Sequence, residues 1–166
     1  MLPPTPYRYS VPPMYSKAEA AQRRQAFWTA LGQYMAPVPA ADGQPTHWIN
    51  YRTGVKGVRF RLHADQRSAA IAIELTHPDA AIRKVFYEQF RELKPALEEA
   101  LGEAWTWEPT ALDEPGQPLA RISQELPNAN LFEQADWPRL ISFFKPRLIA
   151  LDAFWNGYGW TFEDLL

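Results

Sequence analysis

The sequence predicts one α+β domain in the order αβββαββα, an antiparallel meander sheet covered by helices. Three observations carry that expectation. The chain of 166 residues falls in the size range of a single domain with a single core. Segments near 17–35, 80–101 and 136–155 repeat apolar residues at three- and four-residue steps, the period of an α-helix. Between them, short stretches alternate apolar with polar residues, the period of a strand with one buried face.

The first thirteen residues hold five prolines, which sustain neither a helix nor a central strand, so residues 1–13 read as a disordered head ahead of a domain spanning 14–166. Ser16-Lys17-Ala18-Glu19 is a capping box, and Phe27, Trp28, Leu31, Tyr34 and Met35 gather on one face of the helix it starts. Trp48 to Arg52 is short and rich in strand formers, and Gly54 and Gly57 supply a hairpin loop. In the strand that follows, Val58, Phe60 and Leu62 alternate with Arg59, Arg61 and His63. Across a turn at Gln66-Arg67, Ile71, Ile73 and Leu75 alternate with Ala70, Ala72 and Glu74. Thr76-His77-Pro78-Asp79 starts the longest helix, striped by Ile82, Phe86, Phe90, Leu93, Leu97 and Leu101, kinked near Arg91 by Pro95 and ended by Gly102. Residues 104–108 and 119–126 read as two strands joined by the turn Asp113-Glu114-Pro115-Gly116. Asp136 is placed to cap a last helix striped by Leu140, Phe144, Leu148, Leu151 and Trp155, with Pro146 inside it and a stop at residues 156–159.

Composition narrows the function classes. A net charge of −2 and a pI near 5.9 argue against general affinity for nucleic acid or anionic membrane, which relies on summed positive charge. The absence of cysteine excludes disulfides, thiolate zinc sites and cysteine nucleophiles. No apolar run approaches the roughly 18 residues of a membrane span, and the amino end carries no signal-peptide apolar stretch, so a cytoplasmic protein without a membrane partner is expected. Aromatic residues are abundant at 14%, which suits a bulky core or an aromatic contact surface built on Trp48, Trp105 or Trp160. GxSxG, the P-loop, GxGxxG and HExxH are all absent, and no cofactor is expected.

Four charged or imidazole side chains around the hairpin invite chemical readings. Asp65 and Glu74 occupy positions resembling the metal-binding acids of the PD-(D/E)xK nucleases, which would make a metal-dependent phosphodiesterase, but Thr76 stands where that motif has lysine. A metal site of His63, Asp65, Glu74 and His77 is the sharper version, with a spacing that matches no ligand motif. Register supplies a plainer reading. If Phe60 faces Ile73, Arg59 faces Glu74 and the acid neutralises an arginine, while Asp65 bonds the turn backbone. Arg52, Lys56, Arg59 and Arg61 form a basic group able to follow phosphates, or else to pair with helix carboxylates such as Glu98 and Glu99.

The stretches MYSKAEAAQRRQAFWTALGQYMAPVP, HWINYRTGVKGVRFRLHADQ, AAIAIELTHPDA, FYEQFRELKPALEEALGEAWTWE and DWPRLISFFKPRLIALDAFW resemble a bacterial family of unknown function, DUF4268, from Met14 to about Trp155. The resemblance carries over no catalytic residue. Its members stand alone or follow nuclease-like segments, which implies an accessory role near nucleic-acid transactions. Lys94-Pro95 departs from members whose helix runs through without proline, and the start of the resemblance suggests Met14 as the initiator. The function expected is a non-catalytic interaction module for a protein partner or a second copy of itself; the alternative is a nuclease-like nucleic-acid-binding domain without the catalytic lysine.

Overall fold

The computed structural model describes residues 14–166, and the proline-rich head lies outside the described residues. The Ser16 hydroxyl accepts from the Glu19 amide at 3.1 Å and starts α1, Lys17–Met35, which buries Ala20, Phe27, Leu31 and Met35. Strands β1, Val58–Ala64, and β2, Ser68–Leu75, form the expected hairpin, with Phe60 opposite Ile73 and Arg59 opposite Glu74. The Asp79 carboxylate accepts from the Ala81 and Ile82 amides to cap α2, Ala80–Glu92, and α3, Lys94–Leu101, follows directly. Strands β3, Thr106–Leu112, and β4, Pro118–Pro127, close through a turn in which Asp113 Oδ1 accepts from the Gln117 amide at 2.7 Å. A short 3-10 turn, Gln134–Asp136, leads to α4, Trp137–Tyr158, and the one-turn α5, Trp160–Glu163.

The α+β class and the helix-covered antiparallel sheet agree with the sequence expectation; several details do not. Strand order is β1-β2-β4-β3, because the chain returns from α3 to the far edge and β4 then fills the place beside β2. Trp48 to Arg52 forms no strand. Its aromatic residues are engaged elsewhere: the Trp48 indole donates to the Val38 carbonyl at 3.1 Å, and the Tyr51 hydroxyl to Asp152 on α4 at 2.6 Å. The long helix is interrupted at Leu93 rather than bent near Arg91, since Pro95 is tolerated in the first turn of a new helix and not inside an old one. Gly102 ends α3 at φ 70° as expected. Asp136 does not cap α4; its carboxylate accepts from the Asn130 amide at 2.9 Å instead. Helix α4 runs through Gly157 and stops at Gly159, where a Cβ would meet the Trp155 carbonyl at 2.7 Å.

One apolar cluster joins sheet and helices. Tyr87 of α2 packs edge-on against Trp107 with ring centroids 5.8 Å apart, and Trp155 of α4 packs against Phe60 at 5.8 Å. These contacts fall on the face of the sheet that carries Phe60, Ile71, Ile73, Ile122 and Trp107. Trp48 and Trp105, 3% and 6% exposed, belong to this core and are unavailable as surface anchors, whereas Trp160 is 64% exposed.

Candidate functional site

On the opposite face, alternation sets Arg59, Glu74, Arg121 and Glu108 in one row across all four strands. Glu74 is 2% exposed and both of its oxygens are committed: Arg59 Nε lies 3.1 Å from Oε1 and Arg121 Nε 3.5 Å from Oε2. Arg121 Nη1 continues the row to Glu108 at 3.8 Å. A buried carboxylate held between two guanidiniums is a neutralising element of the sheet. Arg59 and Arg121 therefore pair with strand acids; Glu98 pairs with Lys94 of its own helix at 3.7 Å.

Asp65 stands at the other end of the hairpin. Six residues of strand separate it from the position facing Glu74, about 20 Å at roughly 3.3 Å per residue, so the two acids share no site. Burial pushes the Asp65 carboxyl up, but hydrogen bonds from His63 and from the Arg67 and Ser68 amides outweigh it and hold the carboxyl below its usual range. His63 lies opposite Ala70, its Nε2 3.5 Å from Asp65 Oδ2, and His77 Nδ1 accepts from the Asp79 amide at 3.1 Å. Among the described residues no three His, Cys, Asp or Glu side chains are grouped to hold a metal ion. The set His63, Asp65, Glu74 and His77 is thus spread along the hairpin rather than gathered. Thr76, in the place of the nuclease lysine, uses its amide to bond the Gly57 carbonyl at 2.9 Å.

The basic group borders a groove. Its volume is about 430 Å³ and its lining is Trp28, Ile49, Asn50, Tyr51 and residues 59–62 of β1. Strand β1 is an edge of the sheet. The Asp65 amide donates to Ser68 at 3.0 Å and the Thr76 amide to Gly57 at 2.9 Å, so odd-numbered residues of β1 exchange backbone bonds with β2. Even-numbered residues turn their N–H and C=O outward. Those of Val58 bond Val55 and Thr53, while those of Phe60 and Leu62 meet no described residue. Arg59 is exposed, Arg61 half-buried with its Nε lacking a hydrogen-bond partner among the described residues, and Arg52 and Lys56 are exposed in the loop before β1.

The other wall of the groove rests on Asp152. This carboxylate is 4% exposed and accepts from the Tyr51 hydroxyl at 2.6 Å and the Ala41 amide at 2.7 Å, which ties the irregular segment 36–57 to α4. The Trp155 indole donates to the Thr53 carbonyl at 2.7 Å and adds a second tie. Burial first, and then the Asp152 charge, push the Tyr51 hydroxyl far above its usual range, so Tyr51 stays protonated and serves as a donor. Its ring stacks on Phe60 with centroids 5.1 Å apart. Sequence reading missed Trp28, Ile49, Asn50 and Tyr51 as groove residues and Asp152 as the anchor behind Tyr51. One signal was present: an acid at 152 beside the apolar stripe of Leu148, Leu151 and Trp155, where an unpaired carboxylate would be costly.

Residues 23–159 match the family described as Domain of unknown function (DUF4268). The chain belongs to the DUF4268 family. No curated protein and no solved structure matches it. The matched range contains the whole sheet of this DUF4268 domain and every residue lining its groove. Among the described residues no helix is long and apolar enough to cross a membrane.

Proposed function

We propose that this DUF4268 domain is a non-catalytic, cytoplasmic interaction module that takes an extended, acidic segment of a partner protein as an added strand along β1. The observation that carries the reading is the pair of outward backbone groups at Phe60 and Leu62 in the floor of a groove. An added strand would complete their hydrogen bonds, and its side chains would alternate between the two walls. One set would meet Arg59 and Arg61; the other would meet Trp28, Ile49 and Tyr51. The partner chemistry follows: alternating acidic and apolar residues. Pairing β1 with β1 of a second copy would set arginine against arginine, which disfavours self-association through this edge. The nucleic-acid alternative finds less support, because a phosphate backbone offers acceptors and no donors and would leave the outward carbonyls of Phe60 and Leu62 unpaired.

Fluorescence anisotropy with a labelled alternating Val-Glu peptide, its Val-Lys counterpart and labelled DNA tests the reading. The acidic peptide is expected to bind and the basic one not. Leu62→Pro should abolish binding without unfolding the chain, since the Leu62 amide points away from β2. Equal binding of both peptides, or of neither, would sink the proposal. Salt-sensitive DNA binding that weakens in Arg59→Ala and Arg61→Ala would hand the site to the nucleic-acid reading.

A further inference from the structure

One row of exposed residues along α4 carries no charge. Ser142, Pro146, Ile149, Ala153, Asn156 and, beyond Gly159, Trp160 recur at steps of four, three, four, three and four. Gly159 keeps right-handed helical angles, φ −58° and ψ −32°, and Phe162 is buried on the side of Trp155, so Trp160 continues the line of α4. A surface helix ordinarily turns charged side chains to water. Here Ile149 is 37% and Trp160 64% exposed instead. Beside the amino half of the row lies a groove of about 650 Å³, lined by Tyr34 of α1 and by Trp137, Ile141, Ser142, Lys145 and Pro146 of α4. Tyr34 is itself 59% exposed.

We infer that this row pairs α4 with α4 of a second copy, antiparallel across a two-fold axis. The spacing is the same read in either direction, so reversal sets Ser142 opposite Trp160, Pro146 opposite Asn156 and Ile149 opposite Ala153. Each pair then occurs twice. At the axis a large side chain meets a small one, which lets the two helices approach closely. Each Trp160 ring enters the other copy's groove among Tyr34, Trp137 and Ile141, where Lys145, its Nζ 5.5 Å from the Tyr34 ring centroid, also receives a π-face. Pro146 has no N–H, which leaves the Ser142 carbonyl without its helical donor, and the Asn156 side-chain amide of the second copy arrives there with two N–H groups to offer. In the same alignment Arg139, fixed by its bonds to the Pro127 and Asn128 carbonyls, faces Glu163 of the second copy. Opposite charges meet at both ends, whereas a parallel pairing would set like charges side by side. From Trp137 to Glu163 the rod runs about 40 Å at roughly 1.5 Å per residue, and at about 12 Å wide it buries about 500 Å² on each copy. The total of about 1,000 Å² reaches the threshold of a specific interface and fits a dimer that dissociates on dilution. This surface shares no residue with the β1 groove, so a dimer carries two open grooves.

Sedimentation equilibrium of the full chain from micromolar to millimolar concentration tests this. A monomer–dimer equilibrium is expected. Ile149→Glu sets two charges beside the axis and Trp160→Ala empties both grooves; each should weaken association about tenfold or more while far-UV circular dichroism stays unchanged, because both side chains are exposed. Glu163→Arg should weaken it too, and Arg139→Glu in the same chain should restore it. Failure of that rescue in a folded double variant would overturn the antiparallel pairing. A parent chain that stays monomeric at millimolar concentration would overturn the inference and leave the face to another protein. So would growth beyond the dimer, a dimer that survives both Ile149→Glu and Trp160→Ala, or one that Leu62→Pro dissolves, which would move the contact to β1.

Discussion

Replacing Asp152 by alanine should loosen the whole segment from Ala36 to Gly57. The carboxylate accepts two hydrogen bonds, from the Tyr51 hydroxyl at 2.6 Å and the Ala41 amide at 2.7 Å, in a site where the side chain is nearly inaccessible. Bonds to a charged acceptor contribute about 1.5–3 kcal/mol each, and relief of the buried charge offsets part of their loss. The net expectation for Asp152→Ala is a destabilisation of about 3 kcal/mol, a large share of the roughly 5–15 kcal/mol that holds a domain together. Asp152→Asn keeps one carbonyl oxygen and should cost about 1–2 kcal/mol, as should Tyr51→Phe. Urea denaturation of the single and double variants reads these values, and the double-mutant cycle should show coupling of about 1 kcal/mol between Tyr51 and Asp152. Alkaline pH adds an independent check. The folded state holds the Tyr51 proton more tightly than the unfolded chain does, so its contribution is complete below about pH 10 and is lost as pH rises toward the folded-state value. Tyr51→Phe should flatten that alkaline decline. A stability change within about 0.5 kcal/mol for Asp152→Ala would refute the anchoring role, because surface substitutions alone produce changes of that size.

Glu74→Ala should destabilise by about 3–5 kcal/mol in urea titrations, since it removes the buried acid that Arg59 and Arg121 share, and magnesium or manganese should not alter the stability of the parent. Asp65→Asn should remove part of the decline in stability at acid pH. The folded state depresses the Asp65 pKa, so its contribution is present above about pH 4 and disappears as pH falls through the folded-state value; chemical denaturation from pH 7 down to pH 3 checks the sign.

Much of the hairpin was legible from the residues. Period-two alternation over 58–64 and 70–75, with a turn between them, sets Phe60 against Ile73 and Arg59 against Glu74, and the ladder has that register. The same register already separates Asp65 from Glu74, so the nuclease-like metal site conflicted with the pairing before any tertiary information entered. Trp48 to Arg52 misled because aromatic and β-branched residues favour any half-buried surface, strand or not. There the partners of Trp48 and Tyr51 were a carbonyl and a carboxylate, not another strand.

Local spacing by itself determined the caps at Ser16 and Gly102, the helical stripes, the β1-β2 hairpin and the α+β class, because those depend on residues a few positions apart. Tertiary structure alone decided the rest. Arg121 reaches Glu74 across 47 positions, Asp152 reaches Tyr51 across 101, and the placing of β4 between β2 and β3 leaves β1 as an open edge. Which strand is left without a neighbour, and which loop forms the wall beside it, is settled by how the aromatic core closes over long sequence separations. No local period encodes that choice, and the groove exists only because of it.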